Sequence, residues 1–152
     1  EGYKLAEVKG KASSAFASNW ENKTIELGKN TFGWKSLKLN FGKKEVTMNV
    51  TETNGKSYEL PFGYQQWMTT TFDAYPPYSI TPIDRFKGLE GPYYASGSYA
   101  WISKEELQLK VHYVNWVSAL EITFRMDENG EVKLNVQTNY IKKPYSISGK
   151  IK

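Results

Sequence analysis

The chain has 152 residues, 39% hydrophobic and 15% aromatic, with net charge +4, one histidine and no cysteine. A chain of roughly 150 residues buries enough surface for one cored domain without a disulfide or structural zinc, and the missing cysteine excludes disulfide scaffolds, cysteine-ligated metals, iron–sulfur clusters and thiol nucleophiles. The positive charge is nearly all lysine, scattered among Glu, Asn and Thr with only Arg85 and Arg125 as arginines, which excludes the arginine-rich face of a nucleic-acid reader.

Residues 1–21 show no two-residue alternation, and Ser13-Ser14-Ala15-Phe16-Ala17 predicts one or two helical turns that plug or flank the strands of the domain. Residues 23–28 read as a first strand. Over 36–41, Leu37, Leu39 and Phe41 alternate with Ser36, Lys38 and Asn40, the pattern of a half-buried strand. Gly42-Lys43-Lys44 turns the chain, and Val46, Met48 and Val50 repeat the pattern. Asn54-Gly55 then predicts a type I′ hairpin, with positive φ at both central residues, and Tyr58, Leu60 and Phe62 return.

Residues 65–72 and 93–101 are strand-like, and the stretch between them breaks the pattern. Residues 73–92 hold Pro76, Pro77, Pro82 and Pro92 among Tyr75, Tyr78, Ile80, Ile83, Phe86 and Leu89. A connection of that length in a compact domain is usually functional or packed as a lid, and Tyr75, Tyr78 and Phe86 are the candidate contact residues, because aromatics beside prolines mark interfaces. Strand alternation resumes at Leu107, Leu109, Val111 and Tyr113 and again at Leu120, Ile122, Phe124 and Met126. Asp127-Glu128-Asn129-Gly130 is a further turn before Val132, Leu134 and Val136, and Ile147, Gly149 and Ile151 end the chain in the same register.

Strands with one apolar face each must stack or close, since an open sheet leaves that face wet and two edges unpaired. Hairpin-length connections favour an all-β, antiparallel up-and-down barrel, lipocalin-like in outline, of about eight to ten strands over 22–152.

Motifs for chemistry are sparse. No serine stands three residues before a lysine, and none sits in a Gly-x-Ser-x-Gly elbow. Tyr94-Ala95-Ser96 matches the Tyr-x-Ser tripeptide of some serine acylases, but without its nucleophile it transfers no acyl group. His112 falls on the polar face of its strand, and one histidine with no cysteine builds no zinc site. Glu105-Glu106 and Glu21 with Glu26 read as solvated turn charges. The expectation is therefore no catalytic residue, no metal and no cofactor in this chain. No apolar run approaches the ~20 residues of a membrane-spanning helix. Trp20, Trp34, Trp67, Trp101 and Trp116, with eleven tyrosines, exceed the needs of a core this size, and aromatic surplus on a barrel can hold an apolar or sugar ligand. For Trp67 and Trp101, core or rim packing is the favoured reading.

The series Asn22-Lys23-Thr24-Ile25-Glu26-Leu27, Gly33, Ser36–Phe41, Asn54-Gly55, Phe62-Gly63 and Trp67 resembles the first half of a C-terminal module. The module occurs in bacterial serine hydrolases of the beta-lactamase and penicillin-binding-protein type. Ala95-Ser96-Gly97, Ala100-Trp101, Leu107-Gln108-Leu109 and Leu120–Arg125 resemble its second half. The resemblance implies a non-catalytic accessory barrel placed after a Ser-x-x-Lys hydrolase domain of the same polypeptide, in the periplasm or outside the cell, packing near that domain and modulating substrate access. Residues 1–21 would then be its connector. It carries over no catalytic residue, and the 73–92 loop departs from the pattern. The competing expectation is a stand-alone barrel binding an apolar or carbohydrate ligand.

Overall fold

In the computed structural model, residues 7–72, 93–113, 118–138 and 143–152 are described. Ten strands come after a short 3-10 helix at Ala15–Asn19: β1 (Thr24–Leu27), β2 (Trp34–Phe41), β3 (Glu45–Glu52), β4 (Ser57–Tyr64), β5 (Met68–Phe72), β6 (Tyr93–Trp101), β7 (Leu107–Tyr113), β8 (Ser118–Met126), β9 (Val132–Thr138) and β10 (Tyr145–Ile151). The alternation read from the sequence is the alternation of burial. In β7, Leu107, Leu109, Val111 and Tyr113 are buried while Gln108, Lys110 and His112 are partly exposed.

The strands lie in the order β4-β3-β2-β1-β10-β9-β8-β7-β6-β5, so the two ends of the chain meet where β1 pairs with β10, Ile25 opposite Ile151. Closure comes at β6. Its free edge takes β5 along Tyr93–Gly97 in antiparallel register, then β4 at Ser98 and Tyr99 in parallel register, then Lys11 in an isolated bridge at Trp101. The result is a closed barrel of nine strands, with β5 wedged between the diverging ends of β4 and β6. The expected up-and-down barrel and short N-terminal helix are both present. One seam departs from pure antiparallel pairing, because a strand that fills only half the gap leaves its neighbours on either side to meet directly, and those run the same way. Gly97 makes that seam possible: a Cβ there would fall 2.3 Å from the Pro61 carbonyl oxygen and 2.7 Å from the Phe62 ring.

The Asn54-Gly55 turn differs from its expectation. Only Gly55 has positive φ, 87°. Glu52 and Lys56 still pair, through Glu52 N–H to Lys56 O at 2.8 Å, so three residues span the gap, and the Asn54 side-chain oxygen accepts from the Lys56 N–H at 2.9 Å. A glycine in the left-handed region completing a three-residue loop is the other common hairpin solution. Asp127–Glu131 repeats it, with Gly130 at 79° and Asp127 Oδ1 accepting from Asn129 and Glu131.

Inward-facing side chains of every strand but β5 join one buried cluster that fills the barrel. Each rim carries an aromatic plug. At the rim where β6 ends and β7 begins, Trp20 stacks on Trp101 (centroids 5.7 Å, planes 7° apart), Phe41 stacks on Trp101 at 5.9 Å, and Phe16 meets Trp20 edge-on at 5.2 Å. At the opposite rim Phe32 stacks on Trp34 at 4.7 Å and meets Tyr145 edge-on at 5.2 Å. Of the aromatics counted in the sequence, Trp20, Trp34, Trp101, Tyr99 and Tyr113 are buried in the core.

Candidate functional site

The site is built by the segment that precedes β1. Residues 7–13 cross the outside of β6 as a strap, which is why Ser98 and Ala100, on the outward face of β6, are buried. Val8 N–H donates to Ser98 Oγ (3.3 Å), and Lys11 exchanges two backbone hydrogen bonds with Trp101 (2.9 and 2.8 Å). Two tyrosines of the barrel wall hold the strap by its carbonyls: the Tyr64 hydroxyl donates to Gly10 O at 2.9 Å and the Tyr99 hydroxyl to Ala12 O at 2.8 Å. Burial, then the neighbouring Tyr64 and Glu45, push the Tyr99 hydroxyl's pKa up, so it stays protonated as a donor.

Ser14 then caps the 3-10 helix, accepting from Phe16 N–H at 3.2 Å, while its own hydroxyl donates to Lys104 O at 2.6 Å. That bond ties the helix to the turn between β6 and β7. Strap, helix start and turn enclose a cleft of about 740 Å³ at the barrel rim. Its walls are mostly apolar, from Ala15, Phe16, Trp101 and Ile102, with Lys11, Lys104 and Glu105 beside them. Ile102, 42% exposed, is one of two large hydrophobic side chains left open among the described residues. Trp101 is nearly inaccessible, and its indole Nε1, like that of Trp20 stacked on it, is buried with no hydrogen-bond partner among the described residues.

Other features are less developed. A groove of about 330 Å³ on the outer face of β8–β10 brings Arg125 and Lys133 onto adjacent strands, Lys133 being held by Glu131 at 2.9 Å. His112 faces outward, opposite Ser96 of β6 and Ala119 of β8. Burial and then the charge of Lys110 lower its pKa below the ordinary 6.5. Ser96, of the Tyr-x-Ser tripeptide, is hydrogen-bonded to Thr69 Oγ1 at 2.7 Å, a structural pairing across β5 and β6. Glu26 pairs with Lys152 at 2.7 Å at the surface. Among the described residues no group of three or more His, Cys, Asp and Glu is placed to hold a metal ion, and no helix is long and apolar enough to cross a membrane.

The candidate contact residues Tyr75, Tyr78 and Phe86, like Trp116, lie outside the described residues. The strands that their segment joins, β5 and β6, end and begin with Phe72 opposite Tyr93, at the rim away from the cleft. Sequence reasoning favoured core or rim packing for Trp101 over a ligand platform, and in the structure Trp101 belongs to the buried core and also lines the cleft. Phe16 and Ile102 were missed. The available signal was an isoleucine in a turn otherwise made of Ser103, Lys104 and Glu105.

No protein-family model and no curated protein matches the chain. Among solved structures, the Schistosoma mansoni fatty acid binding protein in complex with arachidonic acid is similar, with a TM-score of 0.52 at 13% identity, over 89% of this chain and 96% of that one. The fold is a lipocalin-like β-barrel. At so low an identity the likeness speaks for the path of the backbone, and the two barrels need share no side-chain chemistry. In this lipocalin-like barrel the described inward-facing side chains form one buried cluster between the rims, and the cleft lies at the rim.

Proposed function

We propose that this barrel is a binding module for a small apolar ligand, held in the rim cleft between the N-terminal strap and the β6–β7 turn. The observation that carries the reading is the cleft itself: about 740 Å³, walled by Trp101, Phe16 and Ile102, at the rim beside the buried cluster of the barrel. Its volume lies within the roughly 300–1,000 Å³ of small-molecule sites, which are mostly apolar with a few polar groups. The fatty acid binding protein neighbour supports the reading at the level of fold. The accessory role beside a serine hydrolase domain, implied by the resemblance, is the competing proposal, and the cleft is what favours binding over it.

The test is a panel of alkanes, alkyl alcohols, fatty acids and cell-wall sugars, read by tryptophan fluorescence and melting temperature. A ligand present at a hundredfold excess over its Kd stabilises the native state by roughly 2.7 kcal/mol. Saturable stabilisation by apolar members, lost in Ile102→Asp, is the expected result. Silence across the panel, with tight association to a separately expressed Ser-x-x-Lys hydrolase domain, would move the weight to the accessory role.

A further inference from the structure

We infer that the N-terminal strap is the closing element of the rim cleft: the ligand site exists only while residues 7–13 lie against β6, so occupancy of the cleft and docking of the strap are thermodynamically coupled. The inference rests on the binding reading above and adds the regulation of that same site. Gly10, Lys11 and Ser13 of the strap, with Ser14 at its end, form one side of the cleft, and the turn that starts at Trp101 and Ile102 forms the other. Lifting the strap removes the first side. A ligand that needs both sides binds the docked state alone, and such a ligand shifts the strap toward docking.

The strap is held in a way that lets it leave. Its one backbone pair joins Lys11 to Trp101, and its other bonds are single ones to the side chains of Ser98, Tyr64 and Tyr99. Each adds little net, because water takes its place on opening. Val8 is the only buried side chain among residues 7–13, so undocking exposes little apolar surface, whereas the strands share a common core. Gly10 is what allows the close fit. A Cβ there would run into the Trp101 carbonyl oxygen and lie 2.9 Å from its carbon and 3.0 Å from the Ala100 Cβ, so a side chain at this position lifts the strap from the wall.

The experiment measures amide hydrogen exchange in the whole chain, ¹⁵N-labelled, with and without decanoate. At a hundredfold excess of decanoate over its Kd, exchange of the Lys11 amide should slow about a hundredfold, the factor expected when only the docked state binds. Without ligand this amide should exchange faster than those of β2 and β3. Gly10→Ala should lose both the Lys11 protection and the decanoate response while β2 and β3 stay protected. Tyr64→Phe with Tyr99→Phe is the second variant, and neither tyrosine lines the cleft. It should speed Lys11 exchange and weaken decanoate binding by the factor by which the docked population falls, which carries the test should Gly10→Ala fail to fold. Lys11 exchange unmoved by saturating decanoate, or Lys11 exchanging in step with β2 and β3, overturns the inference and leaves the binding reading standing. No binding of decanoate to the parent chain overturns the binding reading itself.

Discussion

Gly97 carries the closure of the barrel on the absence of one carbon. A Cβ at that position meets the Pro61 carbonyl oxygen at 2.3 Å and the Phe62 ring at 2.7 Å, contacts made by backbone and a fully buried ring that have nowhere to move. Gly97→Ala should therefore cost at least the roughly 1–3 kcal/mol typical of overpacking, read as a lower urea midpoint at unchanged m-value. An unchanged midpoint would mean that β4 and β6 do not meet as described. His112 offers a second residue-scale test. Its pKa is lowered by burial and by Lys110, with Ser96 and Ala119 facing it across the sheet. The unfolded chain then binds more protons than the folded one between the lowered value and 6.5, so stability is complete above pH 6.5 and declines as pH falls through that window. His112→Gln should flatten this part of the stability profile, measured by urea titration from neutral pH down through the window. A slope identical to that of the parent would assign it to other groups. The outward placement of His112 was legible in the sequence, and the role of Gly97 was not. Gly97 reads as one more glycine in a strand, and what makes it essential is Pro61, distant along the chain and adjacent only after closure.

Strands were legible because a half-buried strand writes its period of two into the sequence, and every strand but β5 buries one face against a common interior. The helical turn was legible from Ser13-Ser14-Ala15-Phe16-Ala17, and the structure shows that Ser14 is its cap. The strap was not. Residues 7–13 have no periodicity because only Lys11 makes a backbone pair, with Trp101, and the other bonds are to the side chains of Ser98, Tyr64 and Tyr99 instead of to a continuous backbone ladder. This gives the strap a separable stability. Replacing Tyr64 and Tyr99 together by Phe removes two donors and leaves the Gly10 and Ala12 carbonyls without them, at about 0.5–1.5 kcal/mol each. The loss should appear locally, as faster exchange of the Lys11 amide proton, while amides of β2 and β3 keep their protection. Uniform acceleration through the barrel would show that the strap and the strands open as one unit.

Over the whole molecule, closure was legible and the cleft was not, for a single reason. A run of amphipathic strands has few ways to hide its apolar faces, whereas the cleft exists only because Phe16, from the N-terminal stretch, is brought to the rim at Trp101-Ile102 by the Ser14–Lys104 bond and the Lys11–Trp101 pair. The same geometry separates stability from binding. Trp20 is fully buried, stacked on Trp101 and packed near Phe124 at 6.2 Å, and it does not line the cleft. Trp20→Ala should remove the rim plug and cost about 3–5 kcal/mol, the usual consequence of truncating a large core aromatic. Ile102 lies on the cleft edge, 42% exposed and outside the buried core cluster, so Ile102→Asp should leave stability within about 0.5 kcal/mol. Its carboxylate would instead bring charge and bound water into the apolar wall and remove ligand-dependent stabilisation. The pair of variants distinguishes two arrangements. If ligand lies at the rim, Ile102→Asp unfolds at the parent midpoint but no longer responds to decanoate. If ligand enters the barrel interior, Ile102→Asp responds as the parent does, and the side chains that fill that interior must give way to admit it.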